Sequence, residues 1–167
     1  MSDAVNHTGT RPEDGLTTRP VAAGALLIGV GLGGFVDGIV FHQILQFHNM
    51  LSAKLKPDTV VRIEQNMVWD GAFHALCWCS VAAGLAVLWN AVLNPAAAKR
   101  TGTLVGGLLA GFGLFNLVEG VIDHHLLHLH HVVEGPGHLK YDLMFLASGA
   151  ILLAAGAFLM RRAARAA

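Results

Sequence analysis

Apolar residues run along this chain in four long blocks separated by short polar stretches: Val21 to about Phe47, Met67 to Trp89, Leu104 to about Leu127, and Tyr141 to Met160. A helix needs about 20 predominantly apolar residues to cross the hydrocarbon core of a bilayer, so each block predicts a membrane-spanning helix. The four spans and their connections use nearly all of the 167 residues, which leaves no room for a second domain. The expected fold is all-α, an integral membrane four-helix bundle occupying residues 21–160.

The flanks read differently. Residues 1–20 are polar and carry Asn, Asp, Glu, Gly and Pro, the composition of a disordered tail, and residues 161–167 form a short basic tail. The first span is too long for a signal-peptide core and is followed by no small-residue cleavage site, so it is expected to be retained. With the N-terminus inside, the inner segments hold Arg11, Arg19, Lys99, Arg100, Arg161, Arg162 and Arg165, and the outer loops hold Lys54, Lys56, Arg62 and Lys140. The excess of positive charge on that side predicts both termini in the cytoplasm. Composition agrees with the spans: 54% of residues are hydrophobic and 13% charged, outside the balance of a soluble domain. The formal net charge of zero points to no nucleic-acid partner, and the partner implied is the lipid bilayer.

The chain also repeats itself. Val36-Asp-Gly-Ile-Val-Phe-His-Gln-Ile-Leu-Gln-Phe-His48 aligns without gaps on Val118-Glu-Gly-Val-Ile-Asp-His-His-Leu-Leu-His-Leu-His130. Asp37 thus pairs with Glu119, Gly38 with Gly120, His42 with His124, and His48 with His130. Helices 2 and 4 match more weakly, through Trp69-Asp70-Gly71 against Tyr141-Asp142-Leu143. Two copies of a two-helix unit predict parallel repeats related by an axis along the membrane normal.

Depth gives the repeat its meaning. At 1.5 Å per residue, Asp37 lies about 24 Å and His42 about 31 Å into the first span, and Glu119 and His124 fall at about 22 and 30 Å in the third. Helices 2 and 4 enter from that same side with Asp70, His74 and Asp142, so all four helices bring carboxylate or imidazole to one layer, while the opposite halves hold no charged residue. Ionisable groups are expensive inside a bilayer and mark functional sites by default.

A bundle interior that receives carboxylates and imidazoles from several helices resembles the way carboxylate-bridged di-metal sites are assembled. The expected metal candidates are Asp37, His42, Asp70, His74, Glu119, His124 and Asp142, with Asp123, His128 and His131 in direct contact or one step behind. Counting 100° per residue puts Asp37 and His48 on one helix face and His42 on a second, about 140° away. The ligand mixture suits zinc, iron or copper. Structural alternatives stand beside this one: Asp37 could pair with His124 or His74 as an intramembrane ion pair, and His48, His130, His131 and His138 could be solvated at the interface. Cys77 and Cys79 point about 200° apart on a helix, which suits small buried residues better than joint chelation; Cys77, one turn after His74, is the sharper candidate for a soft ligand.

Gly-Phe-Val-Asp-Gly-Ile-Val-Phe-His-Gln-Ile-Leu-Gln (34–46), Asp-Gly-Ala-Phe-His (70–74), Phe-Asn-Leu-Val-Glu-Gly-Val-Ile-Asp-His-His-Leu-Leu (115–127) and Tyr-Asp-Leu-Met-Phe-Leu (141–146) resemble a bacterial four-pass membrane family catalogued as a domain of unknown function. The resemblance extends from Val21 to Met160 and implies the four-pass fold and the polar residues of the site; it implies no activity. In that family the position of His128 is not a fixed histidine, which ranks it below His124.

These readings converge on a multi-pass protein of the bacterial inner membrane that holds one or two metal ions near the periplasmic face. Its expected role is metal handling, such as supplying a respiratory complex, or metal-dependent redox chemistry. A zinc-dependent intramembrane hydrolase and a proton or metal ion transporter are the alternatives, with a b-type cytochrome ligated by His42 and His124 ranked last. A respiratory complex or a second copy of the chain are the protein partners this reading admits.

Overall fold

The computed structural model describes residues 17–165; most of the expected tail of residues 1–20 lies outside them. Among the described residues there are four long helices and no strand. Helix α1 spans Arg19–Val36 and runs on as a π-helical stretch over Asp37–Ile44. Helix α2 spans Val60–Leu93, α3 spans Thr101–Glu119 with a π-helical continuation over Gly120–Leu126, and α4 spans His138–Arg165. Each is long and apolar enough to cross a membrane, as the four apolar blocks predict.

Local chemistry sets the helix starts. Pro20 occupies the first turn of α1, where its missing N–H costs nothing. The Thr59 side chain accepts from the Arg62 N–H to cap α2, so α2 begins seven residues before the apolar block that predicts it. That first turn stands clear of the hydrophobic run and is made helical by its cap. Before α1, Thr17 is tied to the α2–α3 connection, its N–H donating to Ala96 O at 2.9 Å and its carbonyl accepting from Ala98 N–H at 2.9 Å.

Helices α1 and α3 lie at the centre of the bundle, packed on each other, with α2 against α1 and α4 against α3. The central crossing is close because Gly29 and Gly111, equivalent positions of the repeat, meet there. A Cβ on Gly29 would strike the Leu108 carbonyl, and one on Gly111 would strike the Leu26 carbonyl. Lipid chains are as apolar as leucine, so association of membrane helices depends on such backbone contact between small residues. On the outer helices Val68, Leu76, Trp78, Ile151 and Phe158 are exposed, as lipid-facing side chains should be.

The polar end of the bundle departs from the uniform helix assumed in counting faces. Both central helices widen into π-turns at the first acidic residue of the repeat, and both then end in a residue with positive φ, Gln46 (φ 51°) and His128 (φ 48°). Leu45 N–H reaches back to Val40 O at 2.8 Å and Leu127 N–H to Ile122 O at 2.7 Å. The chain then folds back over the helix ends instead of continuing outward, which carries His48 and His130 inward.

Candidate functional site

Widening the helix decides which side chains meet. Residues five apart in an α-helix are about 140° apart, but i→i+5 hydrogen bonding brings them to the same side. His42 Nε2 therefore sits 3.0 Å from Asp37 Oδ2, and His124 Nε2 sits 3.0 Å from Glu119 Oε1. The returning loops add the third member of each set. His48 Nε2 lies 3.9 Å from Asp37 Oδ1, and His130 Nε2 lies 2.8 Å from Glu119 Oε1. All six side chains are buried.

The two halves interlock. His48 donates through Nδ1 to the carbonyl of Val132 at 2.9 Å, and His130 donates through Nδ1 to the carbonyl of Met50 at 3.1 Å. Met50 and Val132 are themselves equivalent in the repeat. The rings of His48 and His130 stack across the pseudo-two-fold axis with centroids 4.5 Å apart and planes 4° from parallel.

Helices α2 and α4 supply the supports. Asp70 accepts from His42 Nδ1 at 2.9 Å, and also from Met50 N–H at 2.8 Å and Asn49 Nδ2 at 2.9 Å. Asp142 repeats the arrangement, with Oδ1 3.3 Å from His124 Nδ1 and accepting from Val132 N–H at 3.0 Å. Phe73 and Phe145 lie against the rings of His42 and His124, centroids 5.8 and 5.5 Å away. Nδ1 of His42, His48 and His130 thus has an acceptor within hydrogen-bond distance, while Nδ1 of His124 lies 3.3 Å from Asp142 Oδ1; in each ring Nε2 is turned toward Asp37 or Glu119, and His130 Nε2 hydrogen-bonds to Glu119 Oε1.

Several of these inward atoms find no hydrogen-bond partner among the described residues: both oxygens of Asp37, Oε2 of Glu119, and Nε2 of His42, His48 and His124. Buried polar atoms left in that state cost free energy. Their contacts are short without hydrogen-bond geometry, as when ligand atoms converge on one point: around an ion with bonds of about 2.0–2.2 Å, tetrahedral neighbours lie about 3.4 Å apart. The donor atoms of His42, His48 and His130, and those of Glu119, His124 and His130, lie within 4.8 Å of one another in each set. These groups could hold a metal ion. Burial, with His130 and His42 nearby, pushes the His48 imidazole down to about 2, which keeps it in the neutral, ligating form. Burial also opposes charge on His130, but the Glu119 carboxylate outweighs it and raises that group above its ordinary value.

The expected site residues divide into four groups. Asp37, His42, Glu119 and His124 form the cluster; Asp70 and Asp142 stand behind it, bonded to the far ring nitrogens. His131 lies 2.8 Å from Asp142 Oδ2, outside the central group. His74 sits against Gly38 and the ring of Phe35, Asp123 lines an apolar cavity on the flank, and His128 is exposed. Cys77 packs against Gly34 and Cys79 is exposed. His48 and His130, placed at the interface by helix counting, are in the middle of the cluster. Their exact pairing in the repeat was the signal that set them apart from the other peripheral histidines.

Fold and site together define a four-pass helical membrane protein with a duplicated histidine–carboxylate cluster at one end of its bundle. The chain belongs to the family described as predicted membrane protein (DUF2243), whose pattern matches residues 23–163. No curated protein and no solved structure matched it.

Proposed function

We propose that the cluster is a dinuclear metal centre, with one ion in each half: Asp37, His42 and His48 in the first, Glu119, His124 and His130 in the second. The observation that carries this reading is the common orientation of the four imidazoles. In three of them Nδ1 is hydrogen-bonded to a carboxylate or carbonyl, in His124 it lies 3.3 Å from the Asp142 carboxylate, and in all four Nε2 is turned inward to a carboxylate, the arrangement in which outer partners orient metal-ligating histidines. Bound there, zinc would supply Lewis acidity, and iron or copper would add one-electron chemistry. The centre serves metal handling or metal-dependent redox chemistry, at the periplasmic face of the bacterial inner membrane with both termini in the cytoplasm, as the distribution of Lys and Arg favours.

Elemental analysis and an optical spectrum of protein purified in mild detergent without chelators test the reading. Two equivalents of metal in the wild type, with one of them lost in His124→Asn and Glu119→Gln variants that still fold, is the expected result. Equal metal content in all three proteins sinks it.

A second reading, metal-dependent chemistry on a lipid-soluble substrate, is favoured by one feature. A cavity of about 350 Å³, lined by Val30, Phe73, Leu114, Phe115 and Val118, includes Glu119 and Asp123 in its wall. A carboxylate beside a metal-bound water is what a zinc hydrolase requires of its base, and the apolar lining suits a substrate from the bilayer. A Phe115→Trp substitution that fills this cavity should impair turnover of such a substrate while leaving metal content unchanged; unaltered turnover removes this reading.

A further inference from the structure

The two halves of the repeat differ around the supporting carboxylate, Asp70 in one and Asp142 in the other, and the difference adds potential ligands. In the first half the free oxygen of Asp70 is satisfied by amides, Asn49 Nδ2 at 2.9 Å and Gln43 Nε2 at 3.4 Å. The residue equivalent to Asn49 is His131, whose Nδ1 lies 2.8 Å from Asp142 Oδ2. One turn before Asp142 on α4, where α2 carries Asn66, stands His138, with Nδ1 3.2 Å from the same oxygen. Amides satisfy a carboxylate but are poor ligands for transition metals; imidazoles do both.

We propose that His131, His138 and Asp142 form a separate, exchangeable site for a divalent transition cation of the zinc or ferrous class, through which ions reach the buried centre. Their donor atoms lie within 4.8 Å of one another, and the rings of His131 and His138 are 3.8 Å apart between centroids. Two imidazoles and one carboxylate with remaining positions open to water form a donor set that binds such ions and releases them. The site has the exposure that exchange requires: the side chain of His138 is 41% exposed and that of His131 13%, whereas those of His42, His48 and His124 are fully buried.

A path inward adjoins it. An open cavity of about 670 Å³ is lined by His131 and His138 and also by His48, whose Nε2 is buried and has no partner among the described residues. The cavity thus adjoins the residue that carries a central ligand, with the imidazole itself fully buried behind its wall. Glu134, in the same lining, accepts from Ser52 Oγ at 2.7 Å and adds negative charge to the approach. The two sites also share Asp142, whose Oδ2 serves the outer group while Oδ1 faces His124.

The proposal rests on the metal-centre reading only for the destination of the ion; binding at the outer group stands without it. Full-length protein in nanodiscs, stripped of metal and titrated with Zn²⁺ alone, separates the two. Zinc is counted after gel filtration, with and without a brief wash in a weak chelator. Wild type should carry one equivalent that the wash removes, beyond the zinc that resists it. His138→Asn, and His131→Asn with His138→Asn, copy the amides of the first half; they should lack the labile equivalent, keep the resistant zinc and acquire it more slowly. His42→Asn should keep the labile equivalent and lose one equivalent of the resistant zinc. The outer site is overturned if wild type has no labile equivalent, or if the histidine-to-asparagine variants retain it. Labile zinc without resistant zinc in wild type would instead overturn the central centre and leave the outer site standing.

Discussion

His48 and Val132 are 84 residues apart in sequence, yet His48 Nδ1 lies 2.9 Å from the Val132 carbonyl. The equivalent bond, His130 to Met50, closes the same link from the other side. Each half of the repeat therefore holds the inward histidine of the other, and neither loop can position its ligand alone. A buried carbonyl deprived of its donor costs about 1–3 kcal/mol. His48→Ala should thus lower the stability of metal-free protein and loosen the loop around Val132 as well as its own. Hydrogen exchange of residues 127–137 measures this; protection unchanged in the variant would show that the loops are held independently.

The carboxylates behind the cluster should tune affinity without binding the ion. Asp70→Asn keeps the size of the side chain and one acceptor oxygen for Met50 N–H, but turns the oxygen that accepts from Asn49 into a donor and removes the charge that sets the His42 tautomer. Loss of such an outer partner weakens metal binding by about 10–100-fold. Competition against a chelator of known affinity should register that loss with stoichiometry preserved. A loss of one whole equivalent would mean that Asp70 ligates the ion directly.

Acid should destabilise the metal-free protein through His48. Its folded-state value is depressed to about 2 while an unfolded imidazole titrates near 6.5, so the unfolded chain binds the proton first. The stability from keeping His48 neutral is complete above about pH 6.5 and is lost progressively below it. His130, raised by Glu119, works in the opposite sense: its contribution is present below about pH 6.5 and fades as pH rises through its folded value. Comparing melting of metal-free wild type and His48→Asn at pH 7.5 and pH 5 tests the first effect. The variant should lose less stability on acidification, and an equal loss would remove His48 as the cause.

The crossing of α1 and α3 should tolerate no side chain. Gly111→Leu would force the backbone of α1 away at Leu26, and overpacking of this kind costs about 1–3 kcal/mol. Because the same two helices deliver Asp37 and Glu119, metal retention should fall with thermal stability. Gly71, where an added Cβ meets nothing, serves as the control, and Gly71→Ala should leave both unchanged.

Sequence alone determined the four spans, the internal repeat and the polar layer. Each rests on information local to the chain: twenty apolar residues have one use in a bilayer, and a gapless match of thirteen positions survives any folding. Asp37, His42, Glu119 and His124 were legible as a group for that reason. Tertiary structure decided which atoms face one another. A widened helical turn turned a spacing of five from opposed faces into a 3.0 Å contact, and a left-handed residue at Gln46 and His128 folded the chain back so that His48 and His130 came inside. Neither residue carries the glycine signature of such a turn, and a period of 3.6 assumed throughout places everything beyond it on the wrong side. The different duties of Asp70 and Asp142 likewise emerged only when the loops returned, because a carboxylate on an outer helix acquires its role from the imidazole it meets.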